Sequence, residues 1–234
     1  MEISVPLRHE LKFYISRMEY EVLSRMMKHT LHCDPNGDEN NEYHIRSLYF
    51  DTFFNDALID KIDGVKNRNK YRIRIYNFSD EFIRMECKTK VGSLISKRSL
   101  DIPRLLAEQL IAGDPTGLER TRSGLLRDVY REMKLSFLKP VVIVDYVREA
   151  YLHQAEEVRI TFDKQLRTGL RSVDMFNPYT PTIPVFDNED IILEVKYNSV
   201  MPPYIRDLLC TYVSRARNSA ISKYVWCRRY EEFE

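Results

Sequence analysis

The chain has 234 residues, 44% of them hydrophobic, enough for one large domain with or without helical additions. Its 36 Lys and Arg and 35 Asp and Glu leave a formal net charge of +1, where a general nucleic-acid binder would show a clear basic excess. No apolar run approaches the roughly 20 residues of a membrane helix, and the opening MEISVPLRHELKF lacks the apolar stretch of a signal peptide, so a cytoplasmic protein without membrane insertion is expected.

Leu7 to Ile15 alternates as a strand does. Ser16 and Glu19 form a capping-box pattern, and Met18, Val22 and Met26 follow at helical spacing, which predicts a helix over 17–30. A polar loop over 33–41 leads to a strand over 43–51, then a short helix and a turn at Asp63-Gly64. Strands are predicted over 69–77, 81–90 and 93–102, separated by Phe78-Ser79-Asp80 and by Gly92, links short enough for antiparallel hairpins. Residues 103–136 read as helical, 139–152 and 156–168 as two longer strands, and 169–188 as an irregular proline-bearing loop. A strand over 190–197, a helix over 202–213 and a tail helix packed by Trp226 and Tyr230 complete the chain. About eight strands with helices between groups of them make an α+β fold, and without a linker or low-complexity tract residues 1–234 are read as a single domain.

The chemistry lies on one face of these strands, because side chains two apart point the same way. Lys70, Arg72 and Arg74 share a face with Tyr76; Arg84, Glu86, Lys88 and Lys90 share another; Arg8, Glu10 and Lys12, Glu157, Arg159 and Asp163, and Glu194 and Lys196 do likewise. The pattern Glu-x-Lys recurs as Glu10-Leu11-Lys12, Glu86-Cys87-Lys88 and Glu194-Val195-Lys196. With Lys97, Arg148 and Lys223, twelve basic groups could line one surface: Lys12, Lys70, Arg72, Arg74, Arg84, Lys88, Lys90, Lys97, Arg148, Arg159, Lys196 and Lys223. They face seven carboxylates, Glu10, Asp51, Glu86, Asp101, Glu157, Asp163 and Glu194, an excess of five in a chain whose total is +1. A charged outer face of a sheet is common. Here Arg and Lys dominate almost every strand, and several helices carry apolar stripes that could cover strands from outside. That combination points to a barrel with a charged, wet interior and an oily exterior wrapped by helices. Converging cations call for a polyanion, arginine suits phosphate oxygens, and glutamates beside phosphates suit a hard divalent cation.

The segments RHELKFYI, IRSLYFDT, KYRIRIY, ECKTK, ISKRS, DYVREAY, VRITFD, ILEVKY and SAISKY resemble, in this order, the polyphosphate polymerase domain of the vacuolar transporter chaperone (VTC) family, within the triphosphate tunnel metalloenzyme superfamily. The resemblance runs from Arg8 to about Tyr224. It implies an eight-stranded antiparallel tunnel whose Lys12, Arg72, Arg74, Lys88, Lys97, Arg148, Arg159, Lys196, Ser222 (or Ser219) and Lys223 bind phosphates. Of these, Arg72, Arg74, Lys97, Arg148 and Lys223 are the catalytic cations. Glu194 is the implied ligand of Mn²⁺ or Mg²⁺, with Glu86 and Glu10 as helpers. ATP and inorganic polyphosphate are the implied ligands, and the activity is transfer of the γ-phosphoryl of ATP to a growing chain. The eukaryotic regulatory and membrane domains are absent from this sequence, so export would need a membrane-associated partner protein.

Two alternatives stay open at this stage: hydrolysis of triphosphates, and binding of polyphosphate without turnover. Hydrolytic tunnel relatives share an E-x-E-x-K start, and Arg8 stands here where the first Glu would be, which removes a carboxylate from a water-activating site. His29, His32 and Cys33 lack a fourth ligand, and no C-x-x-C pair exists among Cys33, Cys87, Cys210 and Cys227, so no zinc site is expected. His9, His44 and His153 read as structural, and Arg215-Ala216-Arg217 as a solvated run.

Overall fold

Eight strands close on one another into an antiparallel barrel. The computed structural model describes residues 2–153, 157–186, 190–213 and 220–230. In chain order the barrel strands are β1 (Ile3–Ile15), β3 (Glu42–Asp51), β4 (Asn67–Tyr76), β5 (Ser79–Val91), β6 (Leu94–Asp101), β7 (Lys139–His153), β8 (Val158–Thr168) and β10 (Ile191–Tyr197). They run β7-β3-β4-β5-β6-β1-β10-β8, and pairing of β8 with β7 completes the ring. Two short strands, β2 (His32–Cys33) on β7 and β9 (Ile183–Pro184) on β8, extend it at the margins.

The hairpins follow from local backbone chemistry. Tyr76 pairs with Ser79, so the β4–β5 turn is the two-residue Asn77-Phe78, both with positive φ (49° and 57°), as a hairpin with native twist requires. Phe78 is held there by stacking on His44 at 4.0 Å and by the guanidinium of Arg46 at 4.7 Å. The turn therefore lies one to two residues earlier than the expected Phe78-Ser79-Asp80 break. At the β5–β6 hairpin Gly92 supplies the positive φ (59°).

Among the described residues six helices surround or enter the barrel: α1 (Arg17–Thr30), α2 (Asp56–Ile62), α3 (Arg104–Ile111), α4 (Gly124–Leu135), α5 (Pro203–Tyr212) and α6 (Lys223–Arg228). The capping box at Ser16 and Glu19 is present, and it starts α1 at the expected residue. The stretch 103–136 is two helices, not one. Gly113 turns with φ 79°, Pro115 follows, and a 3₁₀ turn at Thr116–Leu118 separates α3 from α4.

The barrel is apolar outside and polar within. Leu48, Phe50, Ile73, Ile75, Met85 and Cys87 point out from β3, β4 and β5 and pack under Ala107 and Leu110 of α3 and Leu125 and Val129 of α4. Phe13, Phe162, Leu193 and Val195 do the same under Leu23 and Met27 of α1 and Ile205 and Leu209 of α5. Burying each large apolar side chain in these seams contributes about 1.5–3 kcal/mol. A third cluster lies at one end of the barrel, where Ile221, Tyr224 and Cys227 meet Tyr49, Val142, Val144, Tyr146 and Ile192. There Tyr224 stacks on Tyr49 at 5.2 Å and donates to Asp51, while Thr168 donates to the Cys227 carbonyl at 3.0 Å. Trp226 packs edge-on against Tyr14, and Tyr230 donates to the carbonyl of Val185, so both anchor the C-terminal helix region as expected. All four cysteines are free thiols. Among the described residues no helix is long and apolar enough to cross a membrane.

Candidate functional site: a cation-lined tunnel

The inward faces of the strands enclose a cavity of about 990 Å³. Its lining reaches from Asn77 and Ser79 at the β4–β5 hairpin to Ser93 at the β5–β6 hairpin, the full length of β5. Alternation on β4 puts Lys70, Arg72, Arg74 and Tyr76 in the wall, and β5 adds Arg84, Lys88 and Lys90. All twelve basic residues read from the alternation line this one space, joined by Arg8, Lys61 and Arg68. Among the described residues fifteen Lys and Arg thus face three lining carboxylates, Glu10, Glu81 and Glu194.

The other carboxylates expected on this surface are placed differently. Glu86 is fully buried behind the wall, where its oxygens accept from Arg72 at 2.7 and 2.8 Å and from Lys97 at 2.7 Å, with Arg74 at 3.8 Å. It is a counter-ion shared by three cavity cations. Asp163 is likewise buried, accepting from Arg148 at 2.6 and 2.9 Å and pairing with Lys223 at 2.5 Å. Asp51 accepts from the amides of Ala57 and Leu58 and so anchors the start of α2. Asp101 and Glu157 are exposed; Asp101 sits at the end of β6 against Arg84, and Glu157 lies in a left-handed turn (φ 49°) that aims it at Asn198.

Glu10 and Glu194 are the carboxylates at the heart of the cavity. Opposed pairing of Glu10 with Lys196 and of Lys12 with Glu194 across β1 and β10 sets them side by side, within hydrogen-bonding reach of each other. Lys196 pairs with Glu194 at 2.9 Å and lies 3.8 Å from Glu10; Lys12 lies 3.3 Å from Glu194; Arg148 approaches Glu194 at 3.5 Å; Lys88 donates to both oxygens of Glu10. Among the described residues no group of three or more His, Cys, Asp or Glu could form a closed metal cage, which includes His29, His32 and Cys33.

The crowding of like charges shows in the titration of these groups. Burial pulls the Lys196 ammonium down to about 7, although Glu194 and Glu10 oppose it, and Arg148 and Lys88 add repulsion. Burial and the neighbours Arg68, Lys12 and Lys88 hold Lys70 well below an ordinary lysine. Lys88 and Lys97 are also lowered, by burial first, against the pull of Glu10 and Glu86 respectively. The carboxylates respond in the opposite sense. Burial would raise Glu86 and Glu194, but Arg72, Arg74 and Lys97 around the one, and Lys196 and Lys12 around the other, hold both well below the usual carboxylate range. Lys70, Lys88, Lys97 and Lys196 are thus held below an ordinary lysine, whereas at Lys12 burial is outweighed by Glu10 and Glu194 and the ammonium is raised.

The remaining expected residues are also brought together. Arg159 lines the cavity with its guanidinium on Asp34 at 2.5 Å and on the Tyr43 hydroxyl at 2.9 Å. Ser222 lines it too, accepting from Lys70 at 3.0 Å and from the amide of Val225 as the cap of α6. Ser219 and the Arg215-Ala216-Arg217 run lie outside the described residues. His9 stacks on Tyr197 and His153 tilts against Tyr204. Sequence reasoning missed three groups. Arg68 continues the alternation of Lys70 and Arg72 and was reachable by starting β4 two residues earlier. Tyr146, two before Arg148, accepts from Arg74 at 3.0 Å and lies under Lys223 and Arg148. Lys61 comes from a helix, where no strand alternation marks it.

Set against known proteins, the chain matches the VTC domain over residues 7–230. No curated protein sequence matches it significantly. Among solved structures it is similar to a putative adenylyl cyclase from Hippeastrum described as having a dominant triphosphatase activity, at 16% identity and a TM-score of 0.60 over 97% of each chain. It is also similar to a putative adenylate cyclase from Bacillus halodurans, at 13% identity and a TM-score of 0.55 over 91% of this chain and 94% of that one. At such identities the structural likeness shows the fold alone. The match that spans nearly the whole sequence settles the family: this chain belongs to the VTC domain proteins.

Proposed function

We propose that the protein makes inorganic polyphosphate by transferring the γ-phosphoryl group of ATP to the end of a growing chain inside the tunnel. The observation that carries this reading is the lining itself, fifteen cations against three carboxylates in an elongated cavity. An oxygen of the terminal phosphate of the chain attacks the γ-phosphorus; a new P–O–P bond forms as the β–γ bond breaks, and ADP leaves. The attacking oxygen is already anionic, so no side chain needs to act as a base. Arg72, Arg74, Lys97, Arg148 and Lys223 align the reacting phosphates and neutralise charge that spreads over the transferring group. Lys12, Lys88, Arg159, Lys196 and Ser222 hold the flanking phosphates.

Glu194 and Glu10 fit a hard divalent cation of the Mg²⁺ or Mn²⁺ kind, because such ions are held by one or two carboxylates together with substrate phosphates rather than by a protein cage. Lys12 and Lys196 now bracket those carboxylates and would turn to the phosphates in exchange. Glu194 and Glu10 would hold such an ion, which would supply positive charge to the phosphates.

Triphosphate hydrolysis is the second reading, favoured by the triphosphatase activity described for the Hippeastrum protein. Against it, Arg8 lines the cavity beside Glu10 and Glu194, where a third carboxylate would help to activate water. The discriminating experiment is incubation of pure protein with ATP and Mn²⁺, with products resolved on a gel. A ladder of long chains supports transfer, free phosphate or pyrophosphate supports hydrolysis, and no turnover with retained polyphosphate binding means a binding module.

A further inference from the structure

The cavity cations are not all compensated in the same way. Most have a carboxylate within ion-pair distance: Arg72 and Lys97 on Glu86, Arg148 and Lys223 on Asp163, Lys88 on Glu10, for example. Five have none among the described residues: Arg8, which feels Glu10 and Glu194 at longer range, and Lys61, Arg68, Lys70 and Lys90, which cluster at one end. Arg68 and Lys90 are direct cross-strand partners on β4 and β5, a pairing in which like charges are destabilising. Lys61 reaches over them from α2, where burial and the charges of Arg68, Lys12, Lys90 and Lys88 pull it down to about 8. Lys70 has a hydroxyl and a ring for partners, Ser222 at 3.0 Å and Tyr224 at 4.9 Å. Arg68 donates to the Val65 carbonyl, and Asp60 is the carboxylate whose field it feels. A half-buried cluster of four cations without ion pairs is a standing repulsion that a bound polyanion would relieve.

The opposite end differs in kind. There Tyr43 and Tyr76 lie 6.1 Å apart, Arg84 sits over Tyr76 at 6.0 Å, and Phe82 is half exposed in the cavity rim. Flat rings with one guanidinium suit a nucleobase, because stacking needs only a π-face. Arg68 is four residues from Arg72 on an extended strand, about 13 Å away. A chain must therefore run on past the central arginines to touch it.

We propose that Lys61, Arg68, Lys70 and Lys90 form a separate exit subsite for the grown polyphosphate chain, so that nucleotide enters at the Tyr76 end and product leaves past α2. The direction rests on the polymerase reading; the subsite itself does not, since it binds a preformed chain whether or not the protein makes one. The test uses the full chain with Lys61→Gln and Arg68→Gln combined, and binding is followed by calorimetry with two inorganic probes, tripolyphosphate and a long-chain polyphosphate. The expected result is a fall of ten-fold or more in affinity for the long chain with less than a two-fold change for tripolyphosphate. In the ATP assay the same variant should release shorter chains at an unchanged KM for ATP. Equal losses for both probes, or no loss for either, would overturn the exit subsite. An intact length-selective effect with no chains made from ATP would keep the subsite and remove the polymerase reading and its direction.

Discussion

Glu86 offers the sharpest test of how the tunnel is held together before a polyanion arrives. Replacing it with Gln keeps the volume and removes the one charge that Arg72, Lys97 and, at 3.8 Å, Arg74 share. Loss of one partner from a buried ion pair costs about 3–5 kcal/mol, because the remaining charge stays desolvated. Gln retains a hydrogen-bonding oxygen, so about 3 kcal/mol is the working figure. At roughly 2–4 °C per kcal/mol for a chain of this size, Glu86→Gln should lower Tm by about 6–12 °C. Long-chain polyphosphate should then raise the Tm of the variant more than that of the wild type, since the ligand supplies the missing negative charge. The pH dependence has a definite sign. Burial tends to raise Glu86, but Arg72, Arg74 and Lys97 hold it well below 4.5 in the folded state, so its contribution is complete above pH 4.5 and is lost as pH falls through the lowered value. The gap between wild type and variant should be full at neutral pH and close in strong acid. A melting series by differential scanning calorimetry decides it. An unchanged Tm at pH 7, or an equal ligand-induced rise in both proteins, would refute the idea that Glu86 stands in for a polyanion beneath the wall.

Three further outcomes are expected. Glu194→Gln should abolish metal-dependent turnover while polyphosphate still binds, and EDTA should do the same to the wild type; activity equal to wild type would take Glu194 out of the mechanism. Arg74→Ala should weaken tripolyphosphate binding by roughly 1.5–3 kcal/mol, the range for a charge-assisted hydrogen bond, and an unchanged Kd by calorimetry would contradict a phosphate contact there. Polyphosphate binding should take up protons above about pH 8, because Lys61 is lowered to about 8 and Lys70 is also lowered by burial and its cationic neighbours, and a bound polyanion raises both. Affinity should accordingly be greatest below that pH and decline as pH rises through it. Calorimetry at pH 8.5 in buffers of different ionisation enthalpy measures the uptake, and buffer-independent heats would exclude it.

Much of the site was legible because a strand writes its two faces at period two. Lys70, Arg72 and Arg74, or Glu194 and Lys196, need only the alternation rule to be placed together. Three Glu-x-Lys repeats look the same in sequence yet end in different places. Glu10 and Glu194 face the cavity, whereas Glu86 is sealed behind it, because the stagger of the closed barrel decides which neighbours cover each residue. No local pattern encodes that stagger. The same holds for Lys61, which enters from a helix, and for Asp101 and Glu157, which alternate correctly but lie at strand ends where the backbone turns them out. The break between α3 and α4 was written in Gly113 and Pro115, and the helical periodicity on either side concealed it.

The order in which the strands pair sets a constraint on how the protein is born. By the time Thr168 leaves the ribosome seven of the eight barrel strands exist, yet β1 and β8 have no common neighbour until Ile191–Tyr197 appears between them. Until then two raw sheet edges and an open row of mutually repelling cations face solvent or a chaperone. Closure is a late, long-range event, which favours slow folding and exposes the nascent chain to edge-to-edge association.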